Sequence, residues 1–325
     1  MISRVSSVNE PDGPALRRLL RAIDPGLTLI RAEALAGGVS ARVTRIDAGR
    51  ADGSTDALVL REYGAANLSA DPRSASHEYE LLVLLQGAGL PVPRPRFADE
   101  SATILPVPFL VTEFVDGATV TEPAHVTGHR TAFTGQLAAT LAKIHRSGVA
   151  SPKVPHLRDI LTVARTRIGT RPISLDAALR EAAVRAVLER SWPPPQLNRH
   201  VLLHGDYWPG NALWRSGALV CVIDWEDAVI GDPVADVANA RMELTMAFGS
   251  AAASDFTRQY AELMPSVDLA ALPHWDLYAA LRHAGRMVEW GLTPVDLARL
   301  QAGHREFTTA VLAQFPPSGA TRPAL

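Results

Sequence analysis

The sequence predicts an α+β chain in two lobes, a small β-rich lobe with one main helix followed by a larger, mostly helical lobe. Two patterns and one bulk property carry this expectation. Short runs rich in β-branched and aromatic residues, separated by glycine-bearing turns, are concentrated in the first third of the chain. Long amphipathic stretches with helical spacing dominate the remainder. With 325 residues, 47% hydrophobic and 20% charged, there is material for a core in each of two lobes, set at 1–114 and 115–325.

A short helical pattern at 15–23 lies between Pro14 and Pro25. Strand-like stretches follow at 27–35, 41–46 and 57–63. The next helix is expected over 74–86, with Leu81, Leu82, Leu84 and Leu85 inward and Gly87 and Gly89 as stops. The Pro-rich run 91–95 leads to a strand over 109–114 that ends at Asp116-Gly117. Helices at 131–145 and 175–189 open the second lobe. Between His200 and Trp225, short apolar strands at 201–203, 212–214 and 219–223 surround polar turns. Helices resume over 234–248, 253–263, 275–290 and 297–314, and the tail 316–325 reads as disordered.

Composition removes several classes of function. Lys+Arg of 32 against Asp+Glu of 34 gives a net charge of -2, so there is no global basic field for nucleic acid. No apolar run approaches the length that crosses a membrane, and the N-terminal residues lack a signal-peptide core. The single cysteine, Cys221, allows no intrachain disulfide and suits a reducing, cytoplasmic compartment. Only Lys143 and Lys153 are lysines, so the other 30 of the 32 basic residues are arginines. A Walker-A Gly-Lys-Ser/Thr run is absent, and neither lysine sits in a context that suggests a pyridoxal Schiff base. There is no G-x-S-x-G elbow and no C-x-x-C pair. His200 and His204 are four apart, but Val201-Leu202-Leu203 between them lacks the glutamate of a zinc peptidase.

One constellation carries chemistry. His204-Gly205-Asp206-Tyr207-Trp208-Pro209-Gly210-Asn211 has the form H-x-D-x-x-x-x-N, and Asp224 follows the apolar strand Leu219-Val220-Cys221-Val222-Ile223. Adjacent strand ends deliver two carboxylates and an amide toward one point. Phosphoryl transfer needs such a set: one carboxylate to accept a hydroxyl proton, an amide oxygen and a second carboxylate to hold magnesium on phosphates.

Together with Ile223-Asp224-Trp225-Glu226 and Gly231-Asp232-Pro233-Val234-Ala235-Asp236, this segment resembles the aminoglycoside phosphotransferase family of kinase-like enzymes. That family also includes macrolide, choline and homoserine kinase relatives, and the likeness runs from about residue 35 to about 245. The resemblance implies a protein-kinase-like fold, with Asp206 as catalytic base and Asn211 and Asp224 as magnesium ligands. It further implies that Asp236 props the catalytic loop. His204 by itself reads as a packing and hydrogen-bonding residue rather than an acid or base. The turn at 35–41 is similar to the family's phosphate-covering turn, with Gly37, Gly38 and Ser40 letting backbone N–H groups approach phosphate. Val59-Leu60-Arg61 stands where a protein kinase carries V-A-I-K, so Arg61 replaces the phosphate-binding lysine. Glu78 is its expected partner. The segment 109–117 resembles the hinge, where the backbone around Glu113 and Val115 would meet the adenine edge under Val43 and Val59. ATP is the expected donor; the hinge sequence leaves GTP open.

Only six residues separate Asp224 from Gly231 and no A-P-E follows, so the chain lacks a peptide-binding platform and a small-molecule hydroxyl acceptor is expected. Asp227, Asp232, Glu243 and Arg286 are the candidate acceptor residues, in a mixed setting rather than the acidic wall a polycation would favour. Arg282, Arg286 and Glu289 share helical spacing and could equally form a solvated face. The rival reading is a catalytically silent kinase-like nucleotide-binding or scaffold protein, favoured by Arg61 and the irregular glycine turn.

Overall fold

The computed structural model of the chain describes residues 13–35, 41–122, 126, 128–149 and 153–315. Gly37, Gly38, Ser40 and the tail 316–325 lie outside them. The chain divides into two compact units, 1–116 and 117–325.

The first unit is built on one antiparallel sheet. Its strands are β1 (Thr28–Ala34), β2 (Ala41–Gly49), β3 (Thr55–Tyr63), β4 (Pro95–Asp99) and β5 (Phe109–Glu113), in the order β1-β2-β3-β5-β4. Alternation along β2 and β3 sorts the faces. Ile46, Ala48, Leu58 and Leu60 are buried with Leu16, Leu19 and Leu20 of α1 (Gly13–Ile23). Val43 pairs directly with Arg61 and Val59 with Arg45, so these four occupy the opposite, half-buried face. The short helix α2 (Ala65–Ala70) precedes α3 (Ser74–Gly87), which packs on β4 and β5. The sequence reading missed β4, because Pro93 and Pro95 mark a turn. Pro95 starts the strand at the sheet edge, where no ladder donor is needed.

In the second unit, α4 (Arg130–Arg146), α5 (Ile160–Gly169) and α6 (Glu181–Ser191) come before the central strands. These are β7 (Val201–Leu203), β8 (Ala212–Arg215), β9 (Ala218–Val222) and β10 (Val229–Gly231), with β6 (Ala118–Thr119) paired to β8. The chain then forms α7 (Val234–Phe248), α8 (Ser250–Leu263), α9 (Leu272–His283) and α10 (Pro294–Leu312). Their core gathers Leu188, Leu203, Val234, Met242, Trp275 and Phe307.

Two expected helices differ. The stretch 175–189 becomes helical only at Glu181, because Asp176 first caps a turn by accepting from the Leu179 N–H, and Glu181 reaches back to the Asp176 N–H. The stretch 275–290 stops at His283, where Ala284 turns extended and Gly285 takes φ +72°. Arg282 and Arg286 therefore do not share a helix. α5 was not foreseen; its signal is Asp159, whose carboxylate caps the Leu161 and Thr162 N–H groups at 2.9 and 3.2 Å. No described helix is long and apolar enough to cross a membrane.

His304 of α10 ties this unit together. It is fully buried; its Nε2–H donates to the Ala280 carbonyl of α9 at 3.0 Å, and its Nδ1 faces the Thr308 hydroxyl at 3.2 Å. Burial holds its pKa down, from 6.5 to about 4. As pH falls the unfolded chain takes up this proton before the folded one, so stability is lost between pH 6.5 and 4. The expected loss is about 3 kcal/mol. Denaturant unfolding at pH 7 and pH 4 should show this acid sensitivity in the parent protein and its reduction by a similar amount in His304→Gln.

Candidate active site

β7 and β10 pair antiparallel through Leu203 and Val229, and at the end of β7 the chain turns at His204-Gly205. His204 is fully buried. Its ring Nε2–H donates to the Ile223 carbonyl at 3.0 Å, and its Nδ1 accepts from the Asp206 N–H at 3.3 Å. Both ring nitrogens serve the backbone, which is a positioning task. Gly205 has φ +81°, and a Cβ placed there would lie 1.9 Å from the Asp227 carbonyl oxygen, so no larger residue fits.

The N–H groups of His204 and Gly205 both donate to Asp236, at 2.7 and 2.9 Å. Asp236 lies in the first turn of α7 and is 1% exposed. Burial alone would raise its pKa. The hydrogen bonds from His145 Nε2 at 3.3 Å and from the His204 N–H oppose burial, and the carboxyl is held below its ordinary range. His145 is fixed in turn by the Tyr260 hydroxyl, which donates to Nδ1 at 2.7 Å.

Asn211 closes a 3-10 turn, Pro209–Asn211, and its side-chain N–H2 donates to the Asp206 carbonyl at 2.9 Å and to Asp206 Oδ2 at 3.1 Å. The donor end of the amide is thus engaged with Asp206, and its oxygen is the end left for a cation. The Ile223 N–H donates to the Asn211 carbonyl at 2.9 Å, which sets Asp224 beside Asn211 with φ +66°. No cluster of three His, Cys, Asp or Glu suited to a metal occurs among the described residues. One carboxylate and one amide oxygen suit magnesium, which keeps several waters and takes further oxygens from phosphates.

Arg282, in the last turn of α9, completes the site and was not assigned to it from sequence. Its Nη1 donates to the Gly205 carbonyl and to Asn239 Oδ1 (2.8 Å for Asn239). Its Nη2 lies 3.3 Å from Asp206 Oδ1 and 3.2 Å from Asp227 Oδ2. Loss of water pushes the Asp206 carboxyl above its ordinary range, Arg282 opposes the shift, and Asp227 and Glu243 reinforce it. No local motif marks Arg282; its partners lie 43 to 77 positions earlier in the chain.

Of the four candidate acceptor residues, Asp227 is brought to the site, 53% exposed. Asp232 needs correction: it is 1% exposed, and its Oδ1 accepts from Asn198 and from the Val234 N–H, so it caps α7. Glu243 is buried, its Oε1 2.6 Å from His283 Nε2, so its carboxylate is already engaged. Arg286 is exposed at the start of a 3-10 turn, Met287–Glu289.

In the first unit, Arg61 Nη1 stands 3.7 Å from Glu78 Oε1, while Glu78 Oε2 accepts from the Tyr63 hydroxyl at 2.7 Å. Arg61, Val43 and Val59 share one sheet face. The Glu113 N–H donates to the Arg94 carbonyl at 2.8 Å and its carboxylate pairs with Arg96 at 2.9 Å, so its N–H is already engaged. Val115 lies just beyond β5 and is half-buried.

Residues 31–281 match the phosphotransferase enzyme family. Among solved structures, an aminoglycoside 2'-phosphotransferase determined with GDP superposes with TM-score 0.62 at 20% identity, covering 92% of this chain and 98% of that one. A macrolide 2'-phosphotransferase from Brachybacterium faecium gives TM-score 0.56 at 21% identity, covering 93% and 99%. The fold is thus kinase-like. Acyl-CoA dehydrogenase family member 10 of Mus musculus is 26% identical over 191 residues, 56% of this chain. The matched region spans only 18% of that protein's length.

The Gly205 contact yields a direct expectation. Gly205→Ala should destabilise the protein by at least about 2 kcal/mol, through positive-φ strain and the carbonyl clash. A thermal melt checks this; an unchanged midpoint would contradict the described loop.

Proposed function

The chain belongs to the phosphotransferase enzyme family, and on that premise we propose that it moves the terminal phosphoryl group of Mg-ATP to a hydroxyl of a small molecule. The observation that carries the proposal is the setting of Asp206. Its carboxylate is positioned by Asn211 on one oxygen and Arg282 on the other, in a loop whose backbone Asp236 grips from below. A silent scaffold has no use for such a network.

In this reading the acceptor oxygen attacks the terminal phosphorus, the bond to the bridging oxygen breaks, and the nucleoside diphosphate leaves with the electron pair. Asp206 accepts the hydroxyl proton. Asn211 and Asp224 would hold magnesium, which when bound offsets charge on the phosphate oxygens. Arg61, steadied by Glu78, is the cation assigned to the nucleotide phosphates. Arg282 orients Asp206 and spreads the charge it shares with Asp227. The GDP-bound neighbour supports GTP as a second donor. Its name and that of the macrolide enzyme support an acceptor drawn from antibiotics or metabolites bearing hydroxyls.

Calorimetric titration with ATP, with and without magnesium, tests the nucleotide side. Magnesium should tighten binding in the parent protein, and Asp224→Ala should lose at least about tenfold of that gain. Magnesium-independent binding, or none, would refute the assignment.

A further inference from the structure

One face of α7 grips the turn after β7 twice. Asp236 and Asn239 lie three positions apart on that helix, so their side chains point the same way. Asp236 takes the Gly205 N–H at 2.9 Å. Asn239 is 2% exposed; its amide N–H2 donates to the Tyr207 carbonyl at 3.4 Å, and its Oδ1 accepts from Arg282 Nη1 at 2.8 Å. The same Nη1 donates to the Gly205 carbonyl. Glu243, one turn further along α7, is engaged by His283 at 2.6 Å, and Asn239 is the α7 side chain hydrogen-bonded to Arg282.

A guanidinium carries two hydrogens on each Nη. Those of Arg282 Nη1 go to Gly205 and Asn239; those of Nη2 go to Asp206 Oδ1 at 3.3 Å and Asp227 Oδ2 at 3.2 Å. All four are committed, so no Nη hydrogen is left for a phosphate oxygen, and Arg282 acts on the chemistry through Asp206. Two carboxylates compete for Nη2, and Asp227, 53% exposed, is the one free to draw it toward water. A long arginine side chain keeps a single geometry only where fixed partners outweigh its rotamer freedom. Asn239 is such a partner: buried, neutral and carried by a helix, it holds Nη1 without drawing charge away from Asp206.

Resting on the phosphotransferase reading, we infer that Asn239 is a positioning residue, which fixes the Arg282 guanidinium so that it holds Asp206 rather than swinging to Asp227. Its effect passes through Arg282. Without the amide, one side of the fork is released and Asp206 loses the partner on Oδ1. A merely structural buried amide would, on removal, lower stability and leave the chemistry of the folded protein alone.

Hydrolysis of Mg-ATP tests this, with water standing in for the acceptor: its oxygen attacks the terminal phosphorus, Asp206 takes its proton, and the nucleoside diphosphate leaves with the electron pair. Asn239→Ala and Asn239→Ser, whose hydroxyl is too short to reach Nη1, should each lower kcat at least about tenfold and leave KM for Mg-ATP within about twofold. Asn239→Ala combined with Arg282→Ala should be no slower than Arg282→Ala alone, because the two residues act in series. An unchanged kcat in both Asn239 variants, or losses that multiply in the double variant, would overturn the inference. Absence of Mg-ATP binding or turnover in the parent protein would instead count against the phosphotransferase reading. A crystal structure of Asn239→Ala then decides the positioning claim by itself: Arg282 should have left Asp206 Oδ1, and a guanidinium still hydrogen-bonded there would overturn it.

Discussion

One carboxylate holds the turn after β7 in shape. Asp236 accepts from two consecutive backbone N–H groups, those of His204 and Gly205, where β7 ends and no strand partner remains to satisfy them. Two adjacent amides can aim at one carboxylate only if the chain turns sharply between them, and the positive φ of Gly205 provides that turn. The close approach of the Asp227 carbonyl then excludes any side chain at 205. From this fixed point His204 ties the loop to Ile223, and the Ile223 N–H ties the β8–β9 hairpin back to Asn211. Asp206, Asn211 and Asp224 are brought together as a consequence.

Burying an anion for this purpose carries a desolvation cost of several kcal/mol. For Asp236 the donors outweigh it: two backbone N–H groups and His145, itself held by Tyr260. For Asp206 loss of water outweighs Arg282, which is shared with Asp227, and the carboxyl is pushed above its ordinary range. The same fold thus keeps one acid firmly ionised as a structural clamp and leaves its neighbour reluctant to carry charge. Arg282 is the counterpart: burial would lower it, but Asp206 and Asp227 more than compensate and hold it above its ordinary range.

The loop residues were legible because they lie close in sequence, where spacing along strands and turns translates directly into space. His204, Asp206, Asn211, Asp224 and Asp236 span 33 positions and two hairpin-like returns. Arg282 was not legible, since what matters about it is where α9 stops, and the periodicity that carried that helix on to residue 290 hid the stop at His283. Asp232 illustrates the opposite error: an acid near a catalytic turn looks available until its burial and its cap on α7 are seen. In each case the missing information was tertiary, the burial of a polar group or the end of a helix, while the change from a strand-rich to a helical region and most strands followed from local pattern.

The claim that this loop performs phosphoryl transfer through Asp206 is tested most directly by product analysis. Intact protein and Asp206→Ala would be incubated with Mg-ATP and a panel of hydroxyl compounds that includes anionic and cationic members, and the mixtures read by mass spectrometry. A phosphorylated product is expected from the intact protein, and at least about a hundredfold less from the variant. Undiminished product from Asp206→Ala would contradict it.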